Sequence, residues 1–169
     1  MLPVISKILY ATDLSKNSAF AFRYALKLAK TCEAEITILY ILPVVDSAME
    51  VPIITQMGED RYFKLQEEKS KEAVARIKEN IKHLKEKEQL DEQIKTDRVS
   101  SILVHEGDPV EEILITADRM KSDIIVLGSH GKGILTYTFL GTVPDKVLRR
   151  SRRPVLVVPI PKGITDIDL

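Results

Sequence analysis

Cysteine occurs once in the chain, at Cys32, which excludes an intrachain disulfide framework and suits a reducing cytoplasm. Long apolar runs are missing too, and nothing approaches the roughly 18 residues of a membrane-spanning helix. The opening MLPVISKILYATD has no charged segment followed by an apolar stretch and a small-residue cleavage site, so no secretory leader is expected. Net charge is absent, with 25 basic residues against 25 acidic ones. Such a chain has no global electrostatic attraction to nucleic acid or to an anionic bilayer, and neither is expected as a partner. The local exception is Arg149, Arg150, Arg152 and Arg153, read as a basic helix end facing the partial negative charge of the last carbonyls.

What is there is a globular composition, 44% hydrophobic and 30% charged over 169 residues, enough for one domain with a real core. Residues 1–160 are expected to form that domain and 161–169, with little hydrophobicity to anchor them, a tail. Lys7 to Ala11 reads as a short strand. Ser15 can then cap a helix carrying Ala19, Phe22, Ala25, Leu26 and Ala29 on one face. Cys32 falls late in that pattern, and with nothing nearby to activate a thiolate it reads as a packing residue.

Glu35 to Leu42 is apolar throughout, as in strands of a parallel sheet covered on both faces. Between Pro43 and Gly58 the pattern dissolves, and a long connection containing Pro52 is expected. A charged helix follows over 59–88, with Val74, Ile77, Ile81 and Leu84 as its apolar stripe. Arg98 to His105 predicts a third strand. Asp108, Pro109 and Glu111 then spell a helix start: a capping carboxylate, proline at the first helical position and a glutamate three after the cap. Val110, Ile113, Leu114 and Ala117 supply that helix's buried face. Asp123 to Leu127 is a fourth strand, Gly141 to Arg150 a short helix and Pro154 to Ile160 a fifth strand. This alternation argues an α/β fold with a mostly parallel sheet and helices on both faces.

The stretch richest in chemical information is Gly128-Ser129-His130-Gly131, nine residues, then Gly141-Thr142. Gly128 directly follows a strand, where a side chain would obstruct a ligand approaching the backbone. Gly131 continues the turn and exposes successive N–H groups to an anion. Gly141 and Thr142 open a helix, whose unpaired N–H groups and positive dipole end favour phosphate. Spacing alone leaves this reading level with a plainer one, turn glycines followed by a threonine cap. The Walker A pattern and the dinucleotide G-x-G-x-x-G fingerprint are both missing, so the mechanisms of those loops do not apply.

Open α/β sheets bind ligands beyond the carboxyl ends of their strands, where strand order reverses. If the first and fourth strands are neighbours there, Ala11, Thr12 and Asp13 meet Leu127 and Gly128 in one crevice. Asp13 would then face a ribose hydroxyl or a phosphate-bound Mg2+, and Thr12 or the Ile41 backbone the base. The rival account makes Asp13 a turn residue ahead of the Ser15 helix. His83, His105 and His130 share no metal-ligand spacing and read as surface or core residues, with His130 nearest to a phosphate.

At these residues the sequence resembles the universal stress protein family. The match comprises the opening KILYATDLS, the signature G-2x-G-9x-G-[ST] present as GSHG-KGILTYTFL-GT, and the closing SRRPVLVVP, and it spans residues 5–160. The resemblance implies a Rossmann-like three-layer fold with a five-stranded parallel sheet of order 3-2-1-4-5. It also implies a homodimer pairing Val155 to Val158 of two chains, and ATP or a related adenine nucleotide as ligand, with Mg2+ accompanying it. Carried over by position, Asp13 would contact ribose or metal, and Ala11, Thr12, Ile41 and Leu127 would surround adenine. Gly128, Ser129, His130, Gly131, Gly141, Thr142 and Val143 would hold the phosphates. Ala11 departs from the proline or valine often found in the family. Pro144 removes a donor at a position usually outside the phosphate shell.

The function expected is a nucleotide-dependent regulatory module of the stress response rather than an enzyme. The alternative is a slow ATP hydrolase or nucleotidyl-transfer enzyme using the same crevice. Efficient phosphoryl transfer requires in-line positioning, a metal and charge-stabilising groups. Asp13, Lys132 and His130 supply only part of that set. A nucleotide-free dimeric scaffold is disfavoured by the intact glycine signature.

Overall fold

Strand β1 (Lys7–Thr12) shows why this chain needs helices on both sides of its sheet: after Lys7 every residue is buried. Ile8 and Tyr10 enter one apolar cluster, while Leu9 and Ala11 enter another, as the two-residue period of a strand requires. A computed structural model describes residues 2–43, 47–87, 98–130 and 140–160. The expected 161–169 tail and Gly131 of the glycine signature lie outside them.

The remaining elements follow in alternation: α1 (Lys16–Cys32), β2 (Glu35–Pro43), α2 (Ser47–Met57), α3 (Glu59–Lys87), β3 (Val99–Gly107), α4 (Pro109–Arg119), β4 (Ile124–Gly128), α5 (Thr142–Arg150) and β5 (Val155–Val158). All strand pairings are parallel and the order is β3-β2-β1-β4-β5, as expected. Helices α1 and α3 cover one face, where Ala21, Phe22, Ala25, Ala29 and Ile77 pack on Ile36, Ile38 and Val126. Helices α4 and α5 cover the other, where Val110, Ile113, Ala117 and Val147 pack on Leu39, Ile125 and Leu127. Cys32 is a partly buried packing residue of the first cluster.

Local chemistry sets the helix ends. The Ser15 hydroxyl accepts from the Ser18 amide at 3.2 Å and caps α1. Asp108 accepts from the Glu111 amide at 3.0 Å with Pro109 at the first turn, the helix start read from the sequence. Glu111 binds the Arg150 guanidinium at 2.8 Å, which ties α4 to α5. Two further arginines of the basic run are also matched, Arg149 to Asp145 and Arg153 to Asp118.

The expected 43–58 connection is corrected: residues 47–57 form helix α2 with Pro52 inside it. Proline there forgoes one hydrogen bond to the preceding turn, and α2 carries no one-sided apolar stripe that would reveal it in sequence. The link to the next helix compensates, because Tyr62 of α3 donates its hydroxyl to Glu50 of α2 at 3.0 Å. Gly58 separates the two helices at φ 87°, a conformation glycine adopts without steric cost.

Candidate functional site

Because β1 continues into α1 and β2 on one side while β4 continues into α5 and β5 on the other, the strand order reverses between the parallel neighbours β1 and β4. A crevice of about 280 Å3 opens beyond the carboxyl ends of these strands. That is near the lower end of small-molecule sites, about 300–1,000 Å3. A second cavity, between α1 and α3, holds only about 50 Å3 and is lined mostly by apolar side chains.

The crevice gathers Ala11, Thr12, Asp13, Ile41, Leu127, Gly128, His130, Gly141, Thr142 and Val143, all singled out in the sequence. Ser129 stands behind the wall, buried, with its amide bonded to the Val158 carbonyl at 2.9 Å. Four lining residues escaped the sequence reading: Ser18, Pro109, Ile113 and Pro144. Pro109 and Ile113 come from α4, whose Asp-Pro start after β3 was visible although its reach to the β1–β4 junction was not. Pro144, expected outside the phosphate shell, forms part of the crevice wall.

The floor is a sharp turn after β1. Leu14 has φ 61°, a left-handed conformation costing a non-glycine residue about 1–2 kcal/mol. Three features hold it there. The Leu14 side chain is buried, its amide donates to Thr12 Oγ1 at 3.0 Å, and the Ser15 amide donates to Asp13 Oδ1 at 3.0 Å. Asp13 is therefore both a turn residue and a crevice residue, so the two sequence readings are compatible. Thr12 Oγ1 also meets Ser18 Oγ at 2.9 Å, so that hydroxyl is engaged inside the protein and Thr12 offers the crevice its other atoms. Beneath the turn, the Tyr10 hydroxyl donates to the Ser18 carbonyl at 2.6 Å, and burial pushes its phenol well above the ordinary tyrosine range.

Two of the glycines that line the crevice also have a packing role. A Cβ on Gly128 would lie 3.2 Å from backbone atoms of Asn17 and Ser18, so this glycine lets the start of α1 pack against the end of β4. A Cβ on Gly141 would lie 3.0 Å from the Ser129 carbonyl oxygen, the oxygen to which the Gly141 amide donates at 2.8 Å. Both glycines permit close backbone packing within the protein. Gly141 gives α5 no side-chain cap, so the Thr142 and Val143 amides at the helix start have no intrahelical acceptor. Pro144 has no amide hydrogen to offer. These two amides, at the positive end of the α5 dipole, form an anion-favouring corner of the crevice.

No lysine or arginine lines the crevice among the described residues. Among the described lining residues, Asp13 supplies a carboxylate. A single carboxylate suits Mg2+, which keeps several waters and is commonly bound by one or two carboxylates together with substrate phosphates.

A profile of the universal stress protein family matches residues 5–159. The chain belongs to the universal stress protein family. Two universal stress proteins of Methanocaldococcus jannaschii are similar across nearly the whole chain. MJ0531 is 33% identical over 156 residues, covering 92% of this chain and 83% of that protein. MJ0577 is 32% identical over 159 residues, covering 94% and 97%. The solved MJ0577 structure superposes with a TM-score of 0.68 at 28% identity, covering 95% of this chain and all of the other. A universal stress protein solved in complex with cAMP shares the fold with a TM-score of 0.56 at 23% identity, covering 93% and 98%. No helix among the described residues is long and apolar enough to cross a membrane.

Proposed function

We propose that this universal stress protein binds ATP or a related adenine nucleotide, with Mg2+, in the β1–β4 crevice. The carrying observation is that Asp13, the apolar wall of Ala11, Ile41 and Leu127, and the Thr142 and Val143 amides meet in one crevice at the strand-order reversal. The apolar residues suit a base, the helix start suits phosphates and Asp13 suits a ribose hydroxyl or the metal. That a member of the same fold was solved with cAMP supports an adenine nucleotide as the ligand class.

Bound nucleotide acts as a signal, altering conformation or partner choice, rather than as a rapidly consumed substrate. In-line phosphoryl transfer calls for groups that stabilise charge on the transferring phosphoryl, and the described lining holds no lysine or arginine for that task. The protein works as a homodimer through β5, in a reducing cytoplasm suited to its single cysteine.

Calorimetric titration with Mg-ATP tests the ligand, together with mass spectrometry of any nucleotide that co-purifies. Saturable binding of one nucleotide per chain is expected, and no heat up to millimolar Mg-ATP would overturn the proposal. Turnover of many ATP per chain per second would make the protein an enzyme instead.

A further inference from the structure

We infer that the arginine run at the carboxyl end of α5 frames a second binding site, which takes the phosphate group of a small phosphorylated molecule. It is separate from the crevice at the start of the same helix. Nine residues of α5 span roughly 13 Å, too far for one phosphate to serve both ends. The inference does not depend on the nucleotide reading.

Between α4 and the end of α5 lies a cavity of about 260 Å3. It is lined by Leu114, Ala117 and Asp118 of α4 and by Arg150, Ser151, Arg152 and Arg153. Glu111, Leu114 and Asp118 recur at spacings of three and four, so they share one stripe of α4. Arg150 reaches that stripe at Glu111, at 2.8 Å, and Arg153 reaches it at Asp118, at 3.4 Å. The two guanidinium groups therefore bracket Leu114, a lining residue. Arg152 lines the same cavity, is exposed, and has no ion pair or hydrogen bond among the described residues.

The backbone that carries these arginines is held in place. Ser151 Oγ accepts from the Arg153 amide at 3.0 Å and donates to the Arg153 carbonyl at 2.9 Å. The next carbonyl, of Pro154, accepts from Ile125 of β4 at 2.9 Å, which anchors the run to the sheet. A ligand arriving here has little main chain to order, and that lowers the cost of binding.

The existing ion pairs leave the guanidinium groups available. Both pairs are partly exposed to solvent, where such contacts contribute little. The Arg153–Asp118 distance exceeds the usual range for an N–H donor to oxygen. Three guanidinium groups against Glu111 and Asp118 leave a surplus of one positive charge. The carboxyl end of α5 opposes an anion with only about half a negative charge. A phosphate monoester brings up to two negative charges and three acceptor oxygens, which suit guanidinium forks converging from different directions. The cavity between two helices admits a compact group, and a chain without net charge has no field to draw in an extended polyanion.

The test adds inorganic phosphate, or glycerol phosphate, to nitrogen-labelled protein in chloride-poor buffer near neutral pH. The side-chain Nε–H signals of Arg150 and Arg153 are followed by magnetic resonance and assigned with the variants. Saturable shifts at millimolar phosphate are expected. Arg152→Gln and Arg153→Gln should each weaken binding about tenfold. Asp118→Asn removes the competing carboxylate and should tighten binding about threefold, a gain that misfolding cannot imitate. Circular dichroism confirms that each variant folds. Unsaturated drift, unchanged affinity in both arginine variants, or shifts confined to the Thr142 and Val143 amides would each overturn the inference. So would sedimentation with phosphatidate vesicles in the absence of saturable binding of the two soluble phosphates.

Discussion

The Gly141 amide donates to the Ser129 carbonyl at 2.8 Å, and a Cβ on Gly141 would stand 3.0 Å from that same oxygen. The two flanks of the nine-residue stretch are thus pinned together at a spacing that would crowd a side chain on residue 141. Gly141→Val is expected to push the start of α5 off Ser129 and displace the Thr142 and Val143 amides. Calorimetry should show ATP affinity reduced at least about tenfold, which is about 1.4 kcal/mol, with an unchanged circular dichroism spectrum. Wild-type affinity would show that phosphates do not sit at this helix start.

Gly128 makes a separate prediction, because its missing side chain faces backbone atoms of Asn17 and Ser18 at 3.2 Å. Backbone yields less readily than the end of a flexible side chain. Gly128→Ala is expected to destabilise the protein by about 1–3 kcal/mol even without nucleotide, read from the urea midpoint at constant slope. An unshifted midpoint would mean that α1 can retreat from β4 at no cost.

Much of this architecture is legible in the sequence because strands such as β1 and β4 are apolar on both faces. Residues such as Ile8, Leu9, Tyr10 and Ala11 have nowhere to go except between two helical layers. The α4 start is legible because Asp108 and Pro109 act within one turn. Helix α2 was hidden by Pro52 and by the lack of an apolar stripe. The reasons for Gly128 and Gly141 were hidden too, since both depend on backbone from other parts of the chain. Asn17 left no signal, since its partners Ser129 and His130 are 112 and 113 residues away. Local rules found the crevice's parts, and contacts distant in sequence determine how they fit.

At the opposite end of the sheet, Asp123 accepts from the Ser6 amide at 2.8 Å, the Ser6 hydroxyl at 2.9 Å and the Lys7 amide at 2.9 Å. These bonds hold its carboxyl below the usual aspartate range, the Ser6 amide foremost. With the folded pKa below the unfolded one, the stabilisation is fully present above about pH 3.9. It is lost as pH falls through the folded value. Asp123→Ala is expected to cost about 1 kcal/mol at neutral pH, with the deficit shrinking in acid. Denaturant midpoints across this range check it, and a deficit independent of pH would show that the charged form is not what the bonds favour.

Asp13→Asn keeps an oxygen for the Ser15 amide but removes the negative charge, so it separates the turn from the metal. Thermal stability should stay near wild type. Affinity for Mg-ATP should fall about tenfold, while affinity for ATP in the presence of a chelator should change little or rise. Equal losses with and without metal would remove Asp13 as the Mg2+ contact and leave the ribose contact.

Strand β5 lies at one end of the sheet order, so one side of its backbone has no strand beside it among the described residues. The Pro154 and Val158 carbonyls accept from the Ile125 and Ser129 amides, at 2.9 Å each. In a parallel ladder, polar groups of alternate residues point the same way, so Val155 and Val157 direct theirs away from β4. Four residues of apolar edge left unpaired invite association, and pairing with a second β5 would satisfy them. Val157→Pro removes an outward N–H and spares the bonds to β4, which is where a sheet tolerates proline. Light scattering at micromolar concentration is expected to give a dimer for the wild type and a monomer for this variant, with circular dichroism unchanged. A monomeric wild type, or a variant that stays dimeric, would place the association on another surface.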